Sequence, residues 1–220
     1  MNSKLIIVGT GLFAEVARDY FEEYTALQVV AFACHERFIT KPKINGVDVV
    51  PIETIVEHYS TAEHKVFVAV GYGKMNKMRE AVYKEIKSLG YTFCNFIHPD
   101  VKIWKSTTLG ENIFIFEDNT IQPYTSIGDN TIFWSGNHLG HHSSIGKHCF
   151  ISSHVVISGS CHLGNNIFVG VNATFHDSLN IGNEVLIGAG AIVSRDLTDK
   201  QVVVPKATPL FKKNSEEIGF

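Results

Sequence analysis

From Ile97 to Val193 an apolar residue returns every six positions without a break: Ile97, Ile103, Leu109, Ile115, Ile121, Ile127, Phe133, Leu139, Ile145, Ile151, Ile157, Leu163, Val169, Phe175, Ile181, Ile187 and Val193. Neither a 3.6-residue helix nor a simple alternating strand produces that period; a parallel β-helix of hexapeptides does. Each hexad is then one short strand plus a corner, and three hexads close one triangular coil. The anchor points inward. So does the residue four places on, which is small in most hexads: Thr107, Thr125, Thr131, Ser143, Cys149, Val155, Cys161, Ala173, Val185 and Ala191. Glycine follows the anchor at Gly110, Gly128, Gly140, Gly146, Gly164, Gly170, Gly182 and Gly188, where a tight corner suits it. The run predicts roughly 5.7 coils, about 4.8 Å apart. Helices of this kind coil left-handed, against the usual rule for parallel crossovers.

The residues before Ile97 follow another grammar. Lys4–Val8 is an apolar run ending at Gly9-Thr10-Gly11, and a helix-compatible segment, LFAEVARDYFEEY, follows. Then come an apolar stretch (27–32), a turn-rich segment (40–46), a short helix candidate (52–58), a strand (66–70) and a helix (74–88) closed by Gly90. Strands alternating with helices predict a parallel sheet. The expected fold class is therefore α/β plus all-β. A small Rossmann-like domain spans 1–92, a left-handed hexapeptide-repeat parallel β-helix 93–197, and a C-terminal tail closing over the helix end 198–220.

Composition narrows the partners. The net charge is −3 and no long basic stretch occurs, which argues against nucleic acid and against an anionic membrane surface. The apolar run before Gly9 is too short for a signal peptide, and no segment approaches the roughly 20 apolar residues of a membrane span. None of the four cysteines forms a CxxC pair. Free, mostly buried thiols and a cytoplasmic location are expected.

Four of the eleven histidines fall in NHLGHHSSIGKHCF, residues 137–150. His142, His148 and His154 share one position of consecutive hexads, so they belong to three different corners and cannot meet on one metal within a chain. No metal site is expected. Residues eighteen apart stack in adjacent coils, which puts His141 beneath Gly159, His154 beneath Asn172, and Val171 in line with Ala189. An imidazole one coil from a glycine N–H is a base beside an oxyanion donor, the two parts that acyl transfer needs. Decoration of a polar corner by His141 and His142 is the alternative.

These hexads, the G-HH-SSIG stretch and the N-terminal GTGLFAE turn together resemble the PglD/NeuD-like nucleotide-sugar N-acetyltransferases of bacterial surface-glycan synthesis, including O-antigen. The resemblance covers nearly the whole chain. It implies a homotrimer that uses acetyl-CoA to acetylate a nucleotide-linked amino sugar, commonly a 4-amino-4,6-dideoxy sugar. It also implies that His141 is the base and that the Gly159 amide holds the thioester carbonyl. Gly170, Val171, Gly188 and Ala189 would lie along the pantetheine arm, and Lys206 near the nucleotide end of CoA. Relatives often flank the base with acidic residues; here the flanks are Gly140 and His142, leaving Asn137, His138 or a neighbouring subunit to orient the ring. His154 is a candidate substrate contact.

At the N-terminal turn, Gly9, Thr10, Gly11 and Leu12 match G-x-G-x-x-A with Ala14. Cys34 and His35 stand where a dinucleotide fold wants an acid, which favours a single nucleotide sugar over NAD. A helix N-terminus there suits phosphate. Tyr72, Asn76 and Arg79, in GYGKMNKMR, are candidate nucleotide contacts, with Arg79 equally readable as a solvated helix residue. Two other readings stay open: sugar O-acetylation on the same scaffold, as for sialic acid, and a non-catalytic β-helix scaffold.

Overall fold

The computed structural model describes residues 4–218. The N-terminal sheet has the order β3-β4-β2-β1-β5-β6. Its strands are β1 (Lys4–Val8), β2 (Gln28–Cys34), β3 (Lys43–Ile44), β4 (Val47–Pro51), β5 (His64–Val68) and β6 (Thr92–Phe93). All pair in parallel except the β3–β4 hairpin. Helix α1 (Leu12–Tyr24) covers one face, with Ala14, Ala17 and Phe21 buried; helix α2 (Ile55–His58) and helix α3 (Lys77–Ser88) belong with the other.

The hexads form a left-handed β-helix of three parallel sheets. Every anchor except Ile103 is the second residue of a two-residue strand. Face one carries seven strands, from Phe96–Ile97 to Val202–Val203. Face two carries five, from Thr120–Ile121 to Ile192–Val193, and face three five, from Thr108–Leu109 to Asn180–Ile181. Partners are eighteen residues apart, as in Ser144↔His162 and Ile145↔Leu163, until the last coil, where Leu186 pairs with Val202 at a spacing of sixteen. The anchors and the small positions fill one continuous core, with Cys149 and Cys161 wholly buried in it. All four cysteines are free and buried, and burial pushes the Cys149 thiol up to about 12, which makes it inert at neutral pH.

The corners work differently from the sequence expectation. The residue three places after each anchor, from Asn112 to Gly190, is left-handed in every coil. Asn, Ser, Asp and His fill most of these positions, and Asn, Asp and His tolerate that conformation better than other side chains. The spacing of His142, His148 and His154 is thus a backbone requirement. The glycines just after the anchors serve closeness between coils: a Cβ at Gly146 would lie 2.4 Å from the Gly164 carbonyl oxygen.

Face one is the platform for the N-terminal domain. Its outward residues Phe114, Ile132 and Phe150 share a core with Phe21, Phe32 and Phe67. The corner between faces three and one forms a polar seam with α3. There Asn112 accepts from the Val68 N–H at 2.7 Å and Asn166 donates to Glu80 at 2.8 Å.

His148 is buried in this seam, 2.8 Å from Asn130 through Nδ1. Burial brings its pKa down to about 4. It is neutral in the folded protein at neutral pH, while the unfolded chain takes up its proton near 6.5. The unfolded state therefore binds more protons between those values, and stability falls as pH drops from 6.5 to 4, by at most about 3 kcal/mol. Asparagine occupies the same column one coil to either side, at Asn130 and Asn166. We expect His148→Asn to flatten the slope of unfolding free energy between pH 7 and 4.5 in urea titrations. An unchanged slope would assign the acid sensitivity elsewhere.

Candidate active site

Two features face solvent on different sides of the prism. The first is a cleft of about 670 Å³ at the carboxyl ends of β1, β2 and β5. Gly9, Thr10, Gly11, Leu12, Cys34 and His35 line it, together with Arg37, Gly71, Lys74 and Met78. Gly9 has φ +137, and a Cβ there would lie 2.5 Å from the Ala69 carbonyl oxygen, so glycine is required. Gly11 differs: it caps α1 in extended backbone with open space where a side chain would project. The His35 ring meets Glu85 of α3 at 3.0 Å. Cys34 is held up by burial, not activated. The cleft joins a helix N-terminus to two cationic side chains, Arg37 and Lys74, which suits an anionic ligand.

The segment after Gly71 departs from its sequence reading. Helix α3 begins at Lys77, not at Lys74, because Lys74, Met75 and Asn76 are all left-handed, with φ 52, 54 and 61. Asn76 and Arg79 do not face the cleft. Both are wholly buried, and they tie α3 to the β-helix. Asn76 Nδ2 donates to the Ile167 carbonyl at 3.0 Å, and Arg79 donates to the carbonyls of Asn130, His148 and Cys149. Arg79 is therefore neither a nucleotide contact nor a solvated helix residue. Tyr72 is half-exposed, and its ring packs on Phe150 and Phe168, outside the cleft lining.

The second feature is the corner between faces two and three, which carries His141. The imidazole lies directly against Gly159: a Cβ on that glycine would be 2.7 Å from His141 Cε1 and 2.9 Å from Nε2. Only glycine leaves room for the ring. The His141 N–H donates to Gln122 Oε1 at 2.8 Å, a contact that the hexad pattern gives no hint of. His141 Nδ1 is 3.1 Å from His142 Nδ1, and the His142 ring stacks on Tyr124 at 4.7 Å. Neither His141 Nε2 nor the Gly159 N–H has a protein partner among the described residues.

Asn137 does not orient this ring. It is buried, donates to the Trp134 carbonyl and accepts from the Val155 N–H at 2.7 Å, so it stitches coils together. His154 is exposed on the corner between faces one and two, its ring against Gly136. On the same corner Gly170 and Gly188 press their coils together, and Val171 and Ala189 stand exposed above them. Lys206 is exposed beyond the last strand. His142, His148 and His154 thus occupy three different corners.

A parallel sheet with an anion-suited cleft is thus joined to a hexapeptide helix whose corner histidine abuts a glycine amide. Residues 124–159 match the bacterial transferase hexapeptide family (six repeats). Residues 4–86 match the PglD N-terminal domain family. The two matches fall on the N-terminal domain and on the middle of the β-helix. Among solved structures it is similar to PerB from Caulobacter crescentus, solved with CoA and GDP-perosamine. That likeness is 26% identical over 90% of this chain and 92% of the other, with a TM-score of 0.81. The acetyltransferase domain of PglB from Neisseria gonorrhoeae shares the fold at 22% identity, over 93% of this chain and 100% of that one, with a TM-score of 0.82. No curated protein sequence matches the chain. Among the described residues no helix is long and apolar enough to cross a membrane.

Proposed function

We propose that the chain is an acetyl-CoA-dependent N-acetyltransferase acting on the amine of a nucleotide-linked amino sugar of the 4-amino-4,6-dideoxy class. It would work as a cytoplasmic homotrimer in surface-glycan synthesis. The observation that carries this reading is the juxtaposition of His141 with Gly159, a free imidazole nitrogen beside a free amide donor. The amine nitrogen attacks the thioester carbonyl carbon, and His141 Nε2 takes the proton that the nitrogen sheds. The Gly159 N–H steadies the oxyanion. The C–S bond then breaks, and CoA leaves as thiolate or, after protonation, as thiol. No cysteine nucleophile is needed, since the thiols are buried.

Val171 and Ala189 would contact the pantetheine arm through their backbones, and Lys206 the nucleotide end of CoA. The N-terminal domain sits on face one, and His141 occupies the apex opposite that face. A sugar held in the cleft is therefore out of reach of the His141 on its own chain. A neighbouring subunit brings the two halves together, which supports the trimer.

The test is CoA thiol release with acetyl-CoA and a panel of nucleotide-linked 4-amino sugars, alongside the matching hydroxyl sugars. Release only with hydroxyl acceptors would make the protein an O-acetyltransferase; release with none would leave a scaffold. Gly11→Leu separates the two ligands. Its side chain projects into open space, so the protein folds, and nucleotide-sugar Kd rises by about tenfold or more, roughly 1.4 kcal/mol. Acetyl-CoA Kd stays unchanged. Calorimetry giving the reverse pattern would exchange the two ligand assignments.

A further inference from the structure

The contact between His141 and His142 joins two like atoms. Both are Nδ1, 3.1 Å apart, with the rings nearly perpendicular at 83°. One hydrogen fits between them. An imidazole nitrogen is either a donor or an acceptor, so the proton's owner decides the tautomer of both rings. If it belongs to His141, that ring donates from Nδ1 and keeps its lone pair on Nε2, the atom that faces Gly159. If it belongs to His142, the His141 proton sits on Nε2 and the ring cannot act as a base there.

We propose that neutral His142 is the positioning residue that fixes His141 in its basic tautomer by accepting the hydrogen in the gap. This rests on the reading of His141 as the base. A protonated His142 carries hydrogen on both nitrogens, so it donates across the gap and reverses the tautomer of His141. One added proton therefore fills His141 Nε2 whichever ring holds the hydrogen in the gap, and a single proton closes the site. During turnover the contact works in the productive direction. His141 gains a proton at Nε2 while its Nδ1–H still donates to His142, and the hydrogen bond strengthens because its donor is charged. An ionised carboxylate could hold the same post without ever donating.

The surroundings leave the pair to itself. The flanking coils contribute Gln122, Pro123 and Tyr124 on one side and Ser158, Gly159 and Ser160 on the other. Tyr124 is the one ionisable side chain among them, and it offers His142 its ring face at 4.7 Å and 22°. That stack, with the left-handed backbone of His142 at φ 57, fixes where the ring stands. No described carboxylate forms an ion pair with either ring. Ionisable neighbours further along this corner, Lys105 and Asp177, stand two coils from His141, about 9–10 Å along the axis.

Two measurements test the proposal. The first is the pH dependence of kcat/KM. For the unaltered protein the acid limb has a log–log slope of one. His142→Phe preserves the stack on Tyr124 without the acceptor. It should lower kcat by about tenfold or more, bounded by the roughly 10⁴-fold that a wrong tautomer costs in a serine-protease triad. His142→Glu, whose backbone conformation Glu184 already adopts at φ 57, keeps an acceptor in place; it should recover most of the turnover that the phenylalanine variant loses and move the acid limb to higher pH, because a carboxylate favours the charged imidazole. The second is long-range ¹H–¹⁵N NMR of histidine-labelled protein without substrate, which should show His141 protonated on Nδ1 at neutral pH and losing that preference in His142→Phe. Equal turnover in the glutamate and phenylalanine variants, or His141 protonated on Nε2, would overturn the proposal. The NMR result is independent of chemistry: if His141→Ala kept full turnover, the assignment of the base would fall while the tautomer stood.

Discussion

Replacing His141 by alanine is expected to lower turnover by roughly 10²–10⁴-fold, the range that a positioned general base supplies. That loss corresponds to about 3–5 kcal/mol of barrier. His141→Asn, which keeps a polar side chain at the corner, should lose about as much. Neither change should disturb folding, because the ring is exposed and contributes nothing to the apolar core. Acetyl-CoA affinity should also survive, since the pantetheine contacts proposed at Val171 and Ala189 lie on another corner. A collapse of kcat with an unaltered melting temperature and unaltered acetyl-CoA Kd is therefore the signature to look for. The rival histidines make the test specific. His148 is buried in the seam and His154 lies on the corner between faces one and two, so neither shares the Gly159 amide. If His141→Ala keeps near-normal turnover and His154→Ala abolishes it, the base belongs on that corner instead.

The β-helix was legible in the sequence because its period is unlike that of any other regular structure. The anchors and the inward small residues were read position by position, and the column joining His141 to Gly159 followed from counting eighteen. What escaped was everything that depends on the third dimension outside the coil. Asn76 and Arg79 looked like ligand contacts because a polar segment after a β-strand usually faces the cleft of such a sheet. Here face one lies against that segment, and burial turns its polar groups inward to the carbonyls of the helix corners. Asn137 was misread for a similar reason: an asparagine beside a candidate base resembles an orienting group, but an inward asparagine in a β-helix bonds to neighbouring coils. The corner glycines were read as conformational when their reason is contact between coils. Gln122 had no signal, since its role rests on a side chain bridging nineteen residues to the His141 amide. Lys74 was nearer to hand, as the cation in GYGKMNKMR closest to the glycines, and the left-handed turn explains why it reaches the cleft and Arg79 does not.

Arg79 is the residue whose loss should cost the fold most. Its guanidinium is wholly buried without a carboxylate partner, and burial pulls its pKa down to about 9, which still leaves it charged at neutral pH. It survives there because its donors are spread over five acceptors: the carbonyls of Asn130, Gly71, His148 and Cys149, and Asn76 Oδ1. Two of those acceptors, Gly71 and Asn76, bracket the left-handed turn of Lys74, Met75 and Asn76, whose conformation costs about 1–2 kcal/mol per residue. The same side chain thus clamps a strained turn and fastens α3 to the β-helix. Arg79→Met keeps much of the volume and none of the donors. Each carbonyl left buried without a partner costs about 1–3 kcal/mol, so a total loss of about 3–5 kcal/mol is expected even after some acceptors find water. For a chain of this size that lowers Tm by about 10 °C. Arg79→Lys should recover little, because an ammonium has three donors and cannot serve five acceptors. Calorimetry should show the N-terminal domain melting ahead of the β-helix in the methionine variant, and hydrogen exchange should lose protection first around residues 74–79. A loss under about 1 kcal/mol with a single cooperative transition would mean that the apolar contacts of Phe114, Ile132 and Phe150 hold the domains together unaided.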